Sequence, residues 1–138
     1  KYKIKILWTG RSFHVYLLFG KKISHADYVK FFQIKEDKYT TFIEKWANEI
    51  DRLNLGKFKV SARHEKKKNT IIIDSSQSPP GKLGRCPFSL HVKNYKEYDG
   101  IAVPVSEKQL AEKNLIEKLK KLTPEEILKN LKGYGGLL

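Results

Sequence analysis

The feature that most constrains this chain is a pair of strand-forming runs held together by a four-residue polar break. Lys3 to Trp8 (K-I-K-I-L-W) alternates charged and apolar residues and turns fully apolar at its end. Phe13 to Phe19 resumes as a largely apolar run, and Thr9 to Ser12 forms the polar tip between them. Alternation followed by a glycine-containing break predicts an antiparallel hairpin. A hairpin with one apolar face needs a second layer to cover it.

Downstream segments supply that layer. Ser24 followed by Asp27 predicts an N-capped short helix through Tyr28, Phe31 and Phe32. Thr41 to Asn54 carries Phe42, Ile43, Trp46, Ile50 and Leu53 at helical spacing, with Gly56 just past its end. Lys57 to Arg63 reads as an alternating strand, and Thr70 to Asp74 as a short buried strand ending in a carboxylate. Ser75 to Gly84 is a loop by composition, and Ile101 to Val105 is another strand. Ser106 with Gln109 forms a capping box for a helix bearing Leu110, Leu115, Ile116 and Leu119. Thr123-Pro124-Glu125-Glu126 is a second capping box with proline at the first helical position. These elements predict one mixed α/β domain over residues 1–138, of about five to seven strands and about four helices.

Composition narrows the function classes. Among 138 residues, Lys plus Arg number 28 and Asp plus Glu 15, a net charge of +13. Hydrophobic residues make up 40%, enough for a packed core, which excludes a disordered basic tail. No apolar run approaches the roughly 18 residues of a membrane span, so no membrane partner is expected. The single Cys86 excludes a disulfide framework and a cysteine-cluster zinc site. A reducing compartment is expected, cytoplasmic (nucleoid-associated) or nuclear, and not a secreted one. The basic excess points to a polyanion. The chain begins at Lys1 and holds no methionine, so residues are expected upstream of it.

Three places concentrate chemistry. Thr9 to His14 (T-G-R-S-F-H) offers a guanidinium on Arg11, hydroxyls, the imidazole of His14 and a glycine that permits close backbone approach, all useful to a phosphate. If the segment is extended, Ser12 and His14 share one face. The structural alternative is an ordinary polar hairpin tip. Asp74, ending an apolar run, is a candidate ligand for Mg²⁺ or Mn²⁺ or else a simple turn former. Gly84 to Lys93 places Arg85, Ser89, His91 and Lys93 close together, with Ser89, His91 and Lys93 on one face if extended. The alternative there is a basic, exposed edge.

The series W-T-G-R-S-F-H-V-Y, I-I-I-D, L-G-R-C-P-F-S-L-H-V-K-N and D-G-I-A-V-P-V resembles the archaeo-eukaryotic primase superfamily. It is most similar to the small, catalytic subunit of archaeal and eukaryotic DNA primase, over Ile4 to Val105. The resemblance implies a primase-type catalytic core: an RRM-like palm sheet, helices packed on it, and C-terminal helices. It implies template-directed nucleotidyl transfer, or primer synthesis, from nucleoside triphosphates on a single-stranded DNA template. Ser12 and His14 match the pair that binds the incoming triphosphate, with Arg11 beside them. Asp74 matches a metal-binding aspartate for Mg²⁺ or Mn²⁺, and His14 joins it as a catalytic residue. Arg85 and His91 match nucleotide-binding positions, and Ser89 and Lys93 fall in the same motif. Apart from the resemblance, the basic surface, including Lys66, Lys67 and Lys68 and the Lys118 to Lys121 region, would track the template backbone or else is an ordinary solvated face.

The chain also departs from the family. Ser12 stands at the motif's usual second glycine, Asn94 where threonine is common, and no zinc module can form. The D-x-D pair that normally precedes S-G-R-G-F-H has no counterpart, since Asp27, Glu36, Asp37 and Asp99 lack that context. Its carboxylates are therefore expected upstream or on another chain, and a large primase subunit is a candidate partner. The alternative is a non-catalytic primase-like domain that binds nucleotide or nucleic acid within a replication or defence complex.

Overall fold

The computed structural model describes residues 2–34, 40–54, 56–62, 68–74, 83–95 and 97–135. The chain forms two compact units, Lys1–Lys21 with Arg85–Leu138, and Lys22–Gly84. The described residues contain eight strands and six helices, so the architecture is mixed α+β. The surplus over the expected number comes from two- and three-residue strands and from short helices toward the C-terminus.

The first unit is built on a four-stranded antiparallel sheet. Its strands are β1 (Tyr2–Thr9), β2 (Phe13–Phe19), β7 (Leu90–Val92) and β8 (Tyr98–Val105), in the order β2-β1-β8-β7. The predicted hairpin is present, with Trp8 opposite Phe13. β8 pairs on the other side of β1, setting Trp8 opposite Val103 and Thr9 opposite Ala102. Because side chains alternate along a strand, Trp8, Ile101, Val103 and Val105 fall on one face. They form the core with Leu115, Leu119 and Ile127. Those three belong to α4 (Leu115–Lys121) and α5 (Pro124–Lys129).

Both predicted capping boxes form, at Ser106/Gln109 and Thr123/Glu126. The first opens only α3 (Glu107–Leu110), because the helix expected to run on through Leu119 is interrupted before α4. After α5, the residues up to the glycines make a further helix, α6 (Leu131–Gly135). Its Tyr134 ring meets Phe88 edge-on at 6.2 Å.

The second unit contains α1 (His25–Phe32), β3 (Gln33–Ile34), β4 (Thr40–Thr41), α2 (Phe42–Leu53), β5 (Lys59–Ser61) and β6 (Thr70–Ile72). The Ser24 cap is formed: its hydroxyl accepts the Asp27 N–H at 3.1 Å and donates to the Asp27 carboxylate at 2.7 Å. β5 and β6 pair in parallel, and the Asp51 carboxylate accepts the Val60 N–H at 2.7 Å, tying α2 to β5. The helix expected over Thr41 to Asn54 is present as α2, and one expectation about β6 is corrected here. α2 buries Ala47 while Trp46, Ile50 and Leu53 remain exposed. β6 ends at Ile72, with Ile71 and Ile72 exposed, so Asp74 lies two residues past a short exposed strand and not at the end of a buried one. No helix of the described residues is long and apolar enough to cross a membrane.

Candidate phosphate-binding face

The face of the first unit's sheet opposite Trp8 carries the imidazoles. Leu7 pairs with His14 on one side and with Pro104 on the other, while His91 pairs with Gly100. Since Gly100, Ala102 and Pro104 alternate on β8, His14 and His91 share this face.

The hairpin tip is closed from within. Thr9 is buried; its N–H and its hydroxyl both donate to the Ser12 carbonyl, at 2.8 and 2.9 Å. With that proton committed, the Ser12 hydroxyl donates back to Thr9 Oγ1 at 3.1 Å. Gly10, in the tip between β1 and β2, has φ 92°, in the left-handed region that glycine adopts without strain. The strand starts only at Phe13, so Ser12 sits in the turn and not beside His14 on a strand face. That corrects the shared-face expectation for the pair.

Gly10 in turn lies on the β7–β8 pair. A Cβ placed on it would come 2.9 Å from the His91 Cβ and 3.0 Å from the Gly100 carbonyl carbon. This contact brings the T-G-R-S tip to His91, and hence two of the three singled-out segments to one place. His91 is hydrogen-bonded through Nδ1 to the Asp99 carboxylate. The hydrogen bond from His91 holds Asp99 below the usual carboxylate range, with the charge of Arg11 adding to it. Arg11, His91 and Asp99 thus make one group.

His14 and Arg85 make a second group through Tyr16. The Tyr16 hydroxyl donates to the Arg85 carbonyl at 3.2 Å and lies 3.5 Å from His14 Nδ1. Burial pushes the Tyr16 phenol above its ordinary value, against the opposing hydrogen bond at Arg85. The Arg85 guanidinium donates to the Leu90 carbonyl at 3.3 Å, holding the side chain along β7.

Ser89 and Lys93 do not join His91 on a strand face, because β7 covers only Leu90–Val92. Cys86 to Ser89 is a turn with Pro87 at its first central position and Phe88 at φ 65° at its second. The Ser89 hydroxyl donates to the Cys86 carbonyl at 2.6 Å, so the turn itself uses it. Lys93 follows the strand, exposed. Asp74 and Lys68, both exposed, belong to the other unit, and Lys66 and Lys67 lie outside the described residues.

Sequence reasoning passed over Asp99 and Tyr16. Tyr16 was legible as a same-face neighbour two residues after His14 on β2. Asp99 was not, because its placement depends on an irregularity in β8. Among the described residues, no three His, Cys, Asp or Glu side chains gather to hold a metal ion. Comparison with known proteins returns no matching family model, curated protein or solved structure.

Proposed function

We propose that the chain works in primase-type, template-directed nucleotidyl transfer, with the antiparallel sheet as the palm and its imidazole-bearing face as the seat of the nucleoside triphosphate. The observation that carries this reading is the packing of Gly10 on His91 and Gly100, which joins the S-x-H-type tip to the S-L-H-type segment. Arg11, His14, Arg85 and His91 then offer cationic or N–H donors from two chain segments toward anionic oxygens. Ser12, Ser89 and Lys93 flank them, with the two hydroxyls supporting the turns and Lys93 supplying exposed charge.

The reaction joins a 3′-hydroxyl oxygen to the α-phosphorus and releases pyrophosphate. Mg²⁺ or Mn²⁺ belongs to that chemistry and calls for several carboxylates. The described residues do not fit a pair of cations by themselves, since no three ligands gather and Asp99 is committed to His91. The cation ligands would be D-x-D carboxylates upstream or on another chain, and Asp74 is a ligand on the resemblance alone. The part of the sheet face is to bind the triphosphate and fix its orientation. Exposed lysines, Lys68 among them, serve the single-stranded DNA template, and a large primase subunit remains a candidate partner.

The test is nucleotide incorporation on single-stranded DNA with Mn²⁺ or Mg²⁺, run beside triphosphate binding, for the chain and for His14→Ala and His91→Ala. Product that vanishes in the variants supports an enzyme. Binding that weakens in both variants, with no product even when a D-x-D segment is supplied on the same or another chain, identifies a non-catalytic nucleotide-binding domain. Unchanged triphosphate affinity in both variants overturns the site.

A further inference from the structure

β8 contains a bulge at the position that matters most. His91 is paired with Gly100 and Val92 with Tyr98, so Asp99 is the extra residue between them. In a regular strand Asp99 would point to the face opposite its neighbour Gly100, and so away from His91. A bulge breaks that alternation and re-aims a side chain. Here the Asp99 carboxylate turns to the same side as His91 and accepts a hydrogen bond from its Nδ1. A carboxylate accepts, so Nδ1 donates in this hydrogen bond and Nε2 is the ring nitrogen left for a ligand; a phosphate oxygen, itself an acceptor, is met there by Nε2–H of the imidazolium.

We infer that Asp99 is a positioning residue for His91, holding the ring through Nδ1 so that Nε2 is directed to the triphosphate. The inference rests on the nucleotide reading above. The pair is set for such a role, because the His91 side chain is 22% exposed and that of Asp99 34%, leaving the ring within reach of a ligand. The Gly10 backbone packs at the His91 Cβ, which limits the ring from the hairpin side. Arg11 lies close enough to act on the Asp99 charge. The carboxylate is thus bonded to the imidazole and lies within the field of the Arg11 guanidinium, which offsets part of its repulsion of a polyphosphate. For metal-ligating histidines, removing such an orienting partner costs about tenfold or more in affinity, and an effect of the same order is expected for a histidine that meets phosphate.

Two substitutions separate orientation from charge. Asp99→Asn keeps an oxygen that accepts from Nδ1–H, whereas Asp99→Ala removes it; both remove the negative charge. The expected result is about tenfold weaker ATP binding in Asp99→Ala, with most of the loss recovered in Asp99→Asn. ¹⁵N spectra of the histidine rings above about pH 8, where an ordinary imidazole is neutral, provide a reading independent of nucleotide. With the His91 signals assigned by their loss in His91→Ala, the chain and Asp99→Asn should show the Nδ1–H form, and Asp99→Ala should not. Equal affinity changes in the two Asp99 variants, or an unchanged His91 spectrum in folded Asp99→Ala, overturns the inference. Weak binding in His91→Ala beside full binding in Asp99→Ala overturns it while leaving the nucleotide reading intact. Full binding in His91→Ala also overturns it, and only together with full binding in His14→Ala does it overturn the nucleotide reading.

Discussion

Gly10 and Gly100 meet backbone against backbone, and a side chain on either would collide with the other residue. Gly10 also has φ 92°, a conformation in which a residue with a Cβ is strained by about 1–3 kcal/mol. Gly10→Ala should therefore lower the urea midpoint by a stability loss in that range or above, with the denaturant slope unchanged. Triphosphate affinity should fall with it, because the hairpin tip would lift from His91. Gly20→Ala is the control: a Cβ there meets nothing within 4 Å, so its change should stay within about 0.5 kcal/mol. Equal midpoints for the two variants would show that the tip does not depend on this contact.

Trp8 sits at the centre of the core, 1% exposed, between Val103 and Phe13 on the neighbouring strands. Its ring meets Phe13 edge-on at 5.1 Å, and its buried Nε1 has no hydrogen-bond partner among the described residues. Trp8→Ala opens a cavity and should cost about 3–5 kcal/mol. Trp8→Phe keeps most of the ring and removes an unpaired buried donor, a group whose burial costs about 1–3 kcal/mol. Its net effect should be about 1 kcal/mol or less. Chemical denaturation followed by far-ultraviolet circular dichroism reads both, and a Phe variant as unstable as the Ala variant would mean that the indole N–H does find a partner.

Acid should act through Asp99. Its carboxyl is held below the ordinary range first by the hydrogen bond from His91, then by nearby positive charge that includes Arg11. A carboxyl depressed in the folded state stabilises the fold above its unfolded pKa, and that contribution fades as pH falls through the folded value. The difference in melting temperature between the chain and Asp99→Asn should hence be constant above about pH 5 and shrink below about pH 4. His91→Ala should flatten the acid limb in the same way, since it removes the larger cause. Melting curves against pH that run parallel for all three proteins would remove the His91–Asp99 pair as a source of acid sensitivity.

The elements that could be read from the sequence are those set by near neighbours. The hairpin follows from alternation and a glycine at the tip, and the boxes at Ser106 and Thr123 follow from a hydroxyl three residues before a Gln or Glu. Where tertiary context decides, the sequence misleads. Ala47, a small residue beside the apolar stripe of α2, is buried while Trp46 and Leu53 stay exposed. The shared face of Ser89 with His91 held only if the segment were extended, and instead Pro87 and Phe88 form a turn, with Phe88 keeping its positive φ while packing on the core. In the site, Arg11, His14, Arg85 and His91 were visible as residue types suited to phosphate. Asp99 was hidden because a one-residue bulge inverts the period-two rule locally, and nothing in D-G-I-A-V-P-V marks which residue is extra.

The +13 net charge should appear as salt-dependent binding to single-stranded DNA, and the lysines should differ in how much of that dependence they carry. For single strands, each neutralised phosphate contributes about 0.7 to the slope of log affinity against log salt. Lys118 is bonded at 2.6 Å to Glu112, so part of its charge is already answered within the protein. Lys68 in the other unit and Lys120 on α4 are exposed. If these surfaces follow the template, Lys68→Ala and Lys120→Ala should each lower the slope by about 0.7. Lys118→Ala should lower it by less, and Glu112→Gln should raise it by freeing Lys118. His14→Ala should leave this slope nearly unchanged while weakening triphosphate binding, which separates the template surface from the nucleotide face. Equal slopes across all the lysine variants would instead describe a diffuse basic field that favours no part of the surface.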